Sequence, residues 1–201
     1  SLSDARLARL LPPAGFPLLA ELAYLFAPAI EGAEPVSSDA SPLTFHGGAG
    51  RDPERLAALL QRTYEGSLDC PALDGARPVG DTLASYAAQG TPEPEHWFRV
   101  TRAGVDAGVL LLAAHPESGN WELVYMGVVP EFRGLGLGEQ IVRHALSCAA
   151  RGGAERVVLA VDAANAPGLC MKGPWGFREW ERRRVYARLA TPRSTGDRGE
   201  S

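Results

Sequence analysis

Trp121-Glu122-Leu123-Val124-Tyr125-Met126-Gly127-Val128-Val129-Pro130-Glu131-Phe132-Arg133-Gly134-Leu135-Gly136-Leu137-Gly138 reads as a strand, a turn and a glycine-dense helix start, in that order. The first N–H groups of a helix have no partner inside it and point outwards, and the helix dipole favours negative charge there. Gly134, Gly136 and Gly138 bring no side chains that would hold a phosphate away from the backbone, and Arg133 adds a fixed positive charge. The stretch is therefore built to take an anion. The dinucleotide fingerprint needs glycines at relative positions one, three and six, but counting from Gly134 the sixth position is Glu139. The Gly-Lys-Ser/Thr of a Walker loop is absent. What stands here is Arg-x-x-Gly-x-Gly, as Arg133, Gly136 and Gly138.

Outward from this stretch, the pattern alternates between two periods. Upstream, His96–Thr101, Val105–Ala114 and Asn120–Val129 are apolar runs joined by connections too short for crossovers, which predicts an antiparallel meander. Before them, Asp52-Pro53 opens a helix with the stripe Leu56, Leu59, Leu60 and Tyr64, and Asp81–Ala88 reads as a second helix ending at Gly90. Downstream come a helix over Leu137–Arg151, a strand over Arg156–Asp162, a short helix near Ala166–Lys172 and a strand over Phe177–Leu189. A strand, a helix-length crossover and another strand imply one parallel pair. The fold class is α/β, mixed: a mainly antiparallel sheet with one parallel pair, flanked by helices.

Length and composition suit one domain with a short extension: 201 residues, 45% hydrophobic and 22% charged. Residues 1–42 are expected to form an N-terminal helix and strand followed by a linker, 43–190 the domain, and 191–201 a polar, disordered tail. A net charge of −4 with no basic face argues against nucleic acid as a partner. The longest apolar runs are too short to cross a bilayer, and no secretory signal pattern opens the chain, so no membrane partner is expected and the setting is cytoplasmic. Cys70, Cys148 and Cys170 are widely spaced, and His46, His96, His115 and His144 are scattered, so neither a disulfide framework nor a metal site is expected.

The Arg133–Gly138 stretch with its preceding strand resembles motif A of the GCN5-related N-acetyltransferases (GNAT). Val158–Asp162, Asn165 and Gly176-Phe177 resemble the second signature of that family, and the likeness in element order runs over roughly residues 43–189. The resemblance implies acetyl-CoA as donor. Its pyrophosphate would lie on the backbone of Arg133, Gly134, Leu135, Gly136, Leu137 and Gly138, its pantetheine arm beside Val128 and Val129, and Asn165 would touch it. Where many members carry the tyrosine that protonates the leaving thiolate, this chain has Lys172. A lysine can donate a proton, but with a different reach. Cys170, Tyr125 or water are the other donors.

The chemistry so implied is attack of an amine on a thioester. A base must take the amine's proton, and the carbonyl oxygen needs a hydrogen-bond donor. The backbone N–H of Val128 is the expected donor, with Val129 next. Glu122 is the expected base, because it stands six residues before Val128 and period two would put both on one face. Glu65 and Asp69 are its rivals, in the loop Thr63–Pro71, whose aromatic, acids and hydroxyl suit a cationic acceptor. The acceptor would be a small-molecule or peptide amine, and a homodimer fits the family. A non-catalytic module that binds CoA or a partner is the second reading. For residues 1–28 two readings stand: the closing piece of a first unit of the same kind, suggested by Gly15-Phe16 and Tyr24 echoing Gly176-Phe177 and Tyr186, or a helix and strand packed on the domain.

Overall fold

The structure is a computed structural model, and it describes residues 4–30, 43–73, 78–91, 94–170 and 175–189. Most of the expected linker, Lys172 and the tail 191–201 lie outside the described residues.

Among the described residues seven strands form one sheet: β1 (Leu18–Pro28), β2 (Leu43–His46), β3 (Trp97–Arg102), β4 (Val105–His115), β5 (Asn120–Val128), β6 (Arg156–Asp162) and β7 (Arg178–Tyr186), in the order β2-β3-β4-β5-β6-β1-β7. Among the described strands β5 and β6 run parallel and the other neighbouring pairs are antiparallel. The helices are α1 (Asp4–Leu10), α2 (Pro53–Tyr64), α3 (Val79–Ala87), α4 (Leu137–Arg151) and α5 (Ala166–Leu169). The mixed fold class expected from the sequence is the one observed.

β1 lies inside the sheet, between β6 and β7, and buries Ala23, Leu25 and Ala27 completely. The N-terminal block is thus woven into the same sheet as the residues after 43. None of the residues of α1 is buried. α3 begins at Val79 after Pro78, so Asp81 sits in its first turn and does not cap it.

Two cores sandwich the sheet. On one face α4 places Ile141, Val142, Ala145, Leu146 and Ala149, at helical spacing, against Leu110, Leu112, Leu123 and Leu159. On the other, Leu56, Leu59 and Leu60 of α2 and Leu83 of α3 cover Val109 and Leu111. Each such Leu or Ile contributes about 1.5–3 kcal/mol by leaving water. β4 is consequently buried from Ala107 to Ala114 without alternation.

Two irregularities open the sheet. The β4–β5 register slips between Leu111 and Leu112, which pair with Tyr125 and Leu123 and leave Val124 as an extra residue. Such a bulge bends its strand and increases its twist. The β5–β6 pairing ends accordingly: it covers only Asn120↔Arg156 to Glu122↔Val158, while β6 continues along β1 to Asp162. Beyond Glu122 the two strands part.

Candidate active site

The gap between β5 and β6 is a cleft of about 490 Å³, bordered by β5, the loop Gly66–Asp69, the start of α4, the end of β6 and α5. Its β5 wall is a bare strand edge. Val129 donates its N–H to Ala107 O on β4 (3.0 Å). Backbone groups of successive strand residues point to opposite sides, so Gly127 faces β4 with Val129, while Met126 and Val128 face the cleft. The carbonyl of Val128 confirms the direction: it accepts from Arg133 Nε (3.0 Å). Val128 thus turns its backbone to the cleft, whereas the N–H of Val129 is engaged on β4 and its side chain is fully buried. Met126, missed from the sequence, joins Val128 because the bulge sets which residues face the gap.

At the far end lies the N-terminus of α4. Gly136 precedes it at φ 74° with no side-chain cap, so the first N–H groups of the helix stay open. A Cβ at Gly134 (φ 74°) or Gly136 would meet nothing within 4 Å, so the turn has open space before it. Leu135 is half exposed, and Leu137 is buried under the turn. Gly138 lines the cleft, where an added Cβ would come within 3.5 Å of Met126 Cε. A long substrate with a phosphate at one end fits this wall: strand-edge groups first, then uncapped helix N–H groups.

Arg133 has another occupation than a free charge. Besides Val128 O, its guanidinium donates to Gly66 O (3.1 Å) and Thr63 O (3.0 Å). Thr63 is in the last turn of α2, whose carbonyls have no intrahelical partner. Arg133 therefore caps α2 and ties the loop after it to the end of β5. Its charge remains at the cleft wall.

The loop is latched to β6 as well. Asp69 accepts from Asp162 N–H (2.8 Å), and Asp162, buried, accepts from Cys70 N–H (3.2 Å) and Ala164 N–H (2.9 Å). Burial, and then the two carboxylates, push the Cys70 thiol up to about 12, so it stays protonated and is no nucleophile. Asn165 caps α5 by accepting from Gly168 N–H (3.0 Å), and its amide reaches Asp69 at 3.5 Å. It lines the cleft with one carbonyl already engaged.

On the acceptor side stands Tyr125, at the bulge. Thr63 Oγ1 donates to Leu60 O (2.7 Å) and lies 2.8 Å from the Tyr125 hydroxyl. With its only proton on Leu60 O, Thr63 must accept from Tyr125. Burial raises Tyr125 above its ordinary value, so it keeps that proton. A lone pair of its oxygen is left for a donor in the cleft. Gly127 permits this pair to form, since a Cβ there would come within 2.6 Å of both Thr63 Cβ and the Tyr125 hydroxyl.

Glu122 is not on the face predicted. Trp121, Leu123, Met126 and Val128 turn towards α4, and the extra residue at Val124 breaks period two between Glu122 and Val128. Glu122 turns to the α2 side and pairs with His115 Nε2 (2.8 Å). It is not among the residues lining the cleft, whereas Asp69 is. Among the described residues no cluster of His, Cys, Asp and Glu could hold a metal.

Residues 56–169, more than half of the chain, match the Acetyltransferase (GNAT) family, and the chain belongs to that family. A mycothiol acetyltransferase of Streptomyces bingchenggensis (strain BCW-1) is 32% identical over 94 residues, covering 47% of this chain and 30% of the relative. A GCN5-related N-acetyltransferase from Sphaerobacter thermophilus superposes with a TM-score of 0.66 at 17% identity, over 92% of this chain and 56% of that one. A tandem GNAT protein from the clavulanic acid biosynthesis pathway gives 0.57 at 14% identity, over 92% and 58%. The chain thus spans under a third of the mycothiol acetyltransferase and little more than half of the two solved chains. No helix among the described residues is long and apolar enough to cross a membrane.

Proposed function

We propose that the protein transfers an acetyl group from acetyl-CoA to a primary amine by direct attack. The observation that carries the reading is the parting of β5 from β6 beside the uncapped N-terminus of α4. The amine nitrogen bonds to the thioester carbonyl carbon, the carbon–sulfur bond breaks, and CoA leaves as thiol once a proton is supplied. The backbone at Gly134, Leu135, Gly136, Leu137 and Gly138, with the charge of Arg133 nearby, holds the pyrophosphate. Met126 and Val128 present strand-edge groups to the pantetheine arm, and the Val128 N–H faces the carbonyl oxygen. Asn165 borders the arm.

Asp69 and the Tyr125 oxygen draw the ammonium to the mouth of the cleft, the one by charge and the other as a hydrogen-bond acceptor. Glu122, held by His115 on the acceptor face, takes the amine's proton through water. Tyr125 is a poor acid here, because its proton is directed at Thr63. Lys172 remains the proposed donor to the thiolate. An acetyl-CoA reaction fits the cytoplasmic setting expected from the sequence, with a small-molecule or peptide amine as acceptor. A non-catalytic CoA-binding module is favoured only by the lysine at the tyrosine position.

The test is thermal unfolding with acetyl-CoA, CoA and NAD side by side, followed by thiol release across a panel of primary amines. Stabilisation by the two CoA species alone and turnover of at least one amine are expected. No shift with either CoA species refutes the cleft assignment, and CoA binding without turnover of any amine establishes the non-catalytic reading.

A further inference from the structure

α2 and α3 roof the sheet over β4 and β5, but the core they form with it takes no described residue from β6, β1 or β7. That open half carries aromatic side chains. In register, Ala160 of β6 neighbours Tyr24 of β1, and Tyr24 neighbours Glu181 of β7; Val158 neighbours Phe26. Side chains of such pairs share a face. The bulge between Tyr24 and Leu25 makes room for Trp180, which meets Tyr24 and Phe26 with ring centroids 5.8 Å apart in each case. Trp180 is nevertheless 48% exposed. Arg183 lies over the Tyr24 ring at 4.7 Å and pairs with Glu181 at 2.7 Å, so its charge is balanced.

This surface is continuous with the cleft, because Ala160 lines the cleft and is the register neighbour of Tyr24. From Ala160 to Glu181 is two strand spacings, about 10 Å. One end holds Asp69 and Asp162, and the other a flat indole fixed by two rings and rimmed by a carboxylate and a guanidinium. An ammonium at the first end and a ring at the second match this layout. An open-chain amine would leave the indole in water.

We propose that Trp180, supported by Tyr24 and Phe26, is an acceptor subsite that stacks the flat face of a ring joined to the reacting amine by a chain long enough to span the two strand spacings, with polar substituents of that ring turned to Glu181 and Arg183. This rests on the amine-acceptor reading above. The ring can be aryl or pyranose, since both present a flat apolar face, and the experiment separates them.

6-Phenylhexylamine, 5-aminopentyl glucoside and hexylamine are compared as acceptors for the wild-type chain, Trp180→Ala and Trp180→Phe; in the first two the chain sets amine and ring about 10 Å apart, the span of two strand spacings. In parallel, the indole N–H signal of Trp180, identified by its loss in Trp180→Phe, is followed by NMR as each amine is added to CoA-saturated protein. The expected result is a KM for the phenyl or the glucosyl amine raised about tenfold in Trp180→Ala and restored in Trp180→Phe. The kcat and the KM for acetyl-CoA should stay unchanged, and the indole signal should shift with the ring-bearing amine and not with hexylamine. A response to the phenyl amine alone assigns an aryl group, and to the glucosyl amine alone a pyranose. An indole signal unmoved by both ring-bearing amines overturns the subsite, as does a KM change equal for hexylamine. A smaller particle for Trp180→Ala in size-exclusion chromatography also overturns it, by making the face a contact between copies. An indole shift without turnover of any amine refutes the catalytic reading and leaves the subsite standing.

Discussion

Arg133 separates two uses of the same side chain. As the arginine of the motif it would be a ligand of the pyrophosphate. In the structure it donates at 3.0–3.1 Å to the carbonyls of Thr63, Gly66 and Val128. Arg133→Met keeps most of the stem and removes all three bonds. A hydrogen bond contributes about 0.5–1.5 kcal/mol net, and these sites are partly solvated, so a loss of about 2–4 kcal/mol is expected. For a chain of this size that lowers Tm by about 5–12 °C. The same bonds hold the loop after α2 beside the cleft, so the KM for the acceptor should rise more than that for acetyl-CoA. The upward shift of Tm produced by acetyl-CoA should shrink with the lost charge but not vanish, measured from the lower baseline. Thermal unfolding with and without acetyl-CoA, together with the two KM values, checks this. An unchanged Tm combined with loss of the acetyl-CoA shift would refute the reasoning, because it would make Arg133 a phosphate ligand and no staple.

Glu122→Gln should lower kcat at neutral pH by about 10²-fold or more while acetyl-CoA still stabilises the protein, and a wild-type kcat would remove Glu122 from the mechanism. Gly127→Ala should drive Thr63 and Tyr125 apart and lower both Tm and activity, since the new Cβ would sit 2.6 Å from their atoms; an unaltered Tm would contradict that packing. His144, stacked on Phe45 at 3.7 Å, is held down to about 4 by burial first and Arg151 second. Its folded value is below its ordinary 6.5, so the unfolded chain binds the proton first, and stability falls as pH drops from about 6.5 to 4. Replacing His144 by Phe should flatten that limb of a Tm-against-pH curve. Cys70 should resist iodoacetamide at pH 8 while exposed Cys170 reacts, as peptide mass mapping would report.

Much of the fold was legible because it rests on local pattern. The alternating strands, Asp52-Pro53 at the start of α2 and the glycines before α4 each follow from chemistry within a few residues. The place of β1 was not legible in that way. An apolar segment such as Leu18–Pro28 can complete any sheet with a free edge, and only the tertiary structure puts it between β6 and β7. Arg133 shows the same limit within the site. Its position in the motif is local, but its partners at Thr63 and Gly66 are 70 and 67 residues away.

The bulge at Val124 accounts for the remaining differences at the site. Without it, period two would carry Glu122 and Val128 on one face, as the spacing suggests. With it, Glu122 turns to His115 and the acceptor side, while Val128 keeps its side chain under α4 and its backbone towards the gap. A single extra residue therefore does three things. It ends the pairing with β6, it chooses Met126 and Val128 as the exposed strand edge, and it brings Tyr125 over Thr63. Nothing in Leu123-Val124-Tyr125 marks a bulge by composition, since Val and Tyr are good strand formers and no Gly, Pro, Asn or Asp interrupts the run. The bend is held from outside by Leu111 and Leu112 on β4, and by the α2 residues that Tyr125 meets. Deleting Val124 should restore a regular strand, extend the β5–β6 pairing across the cleft, and abolish acetyl-CoA binding while the chain still folds. A Val124 deletion variant that folds and binds acetyl-CoA with wild-type affinity would show that the cleft does not depend on the bulge.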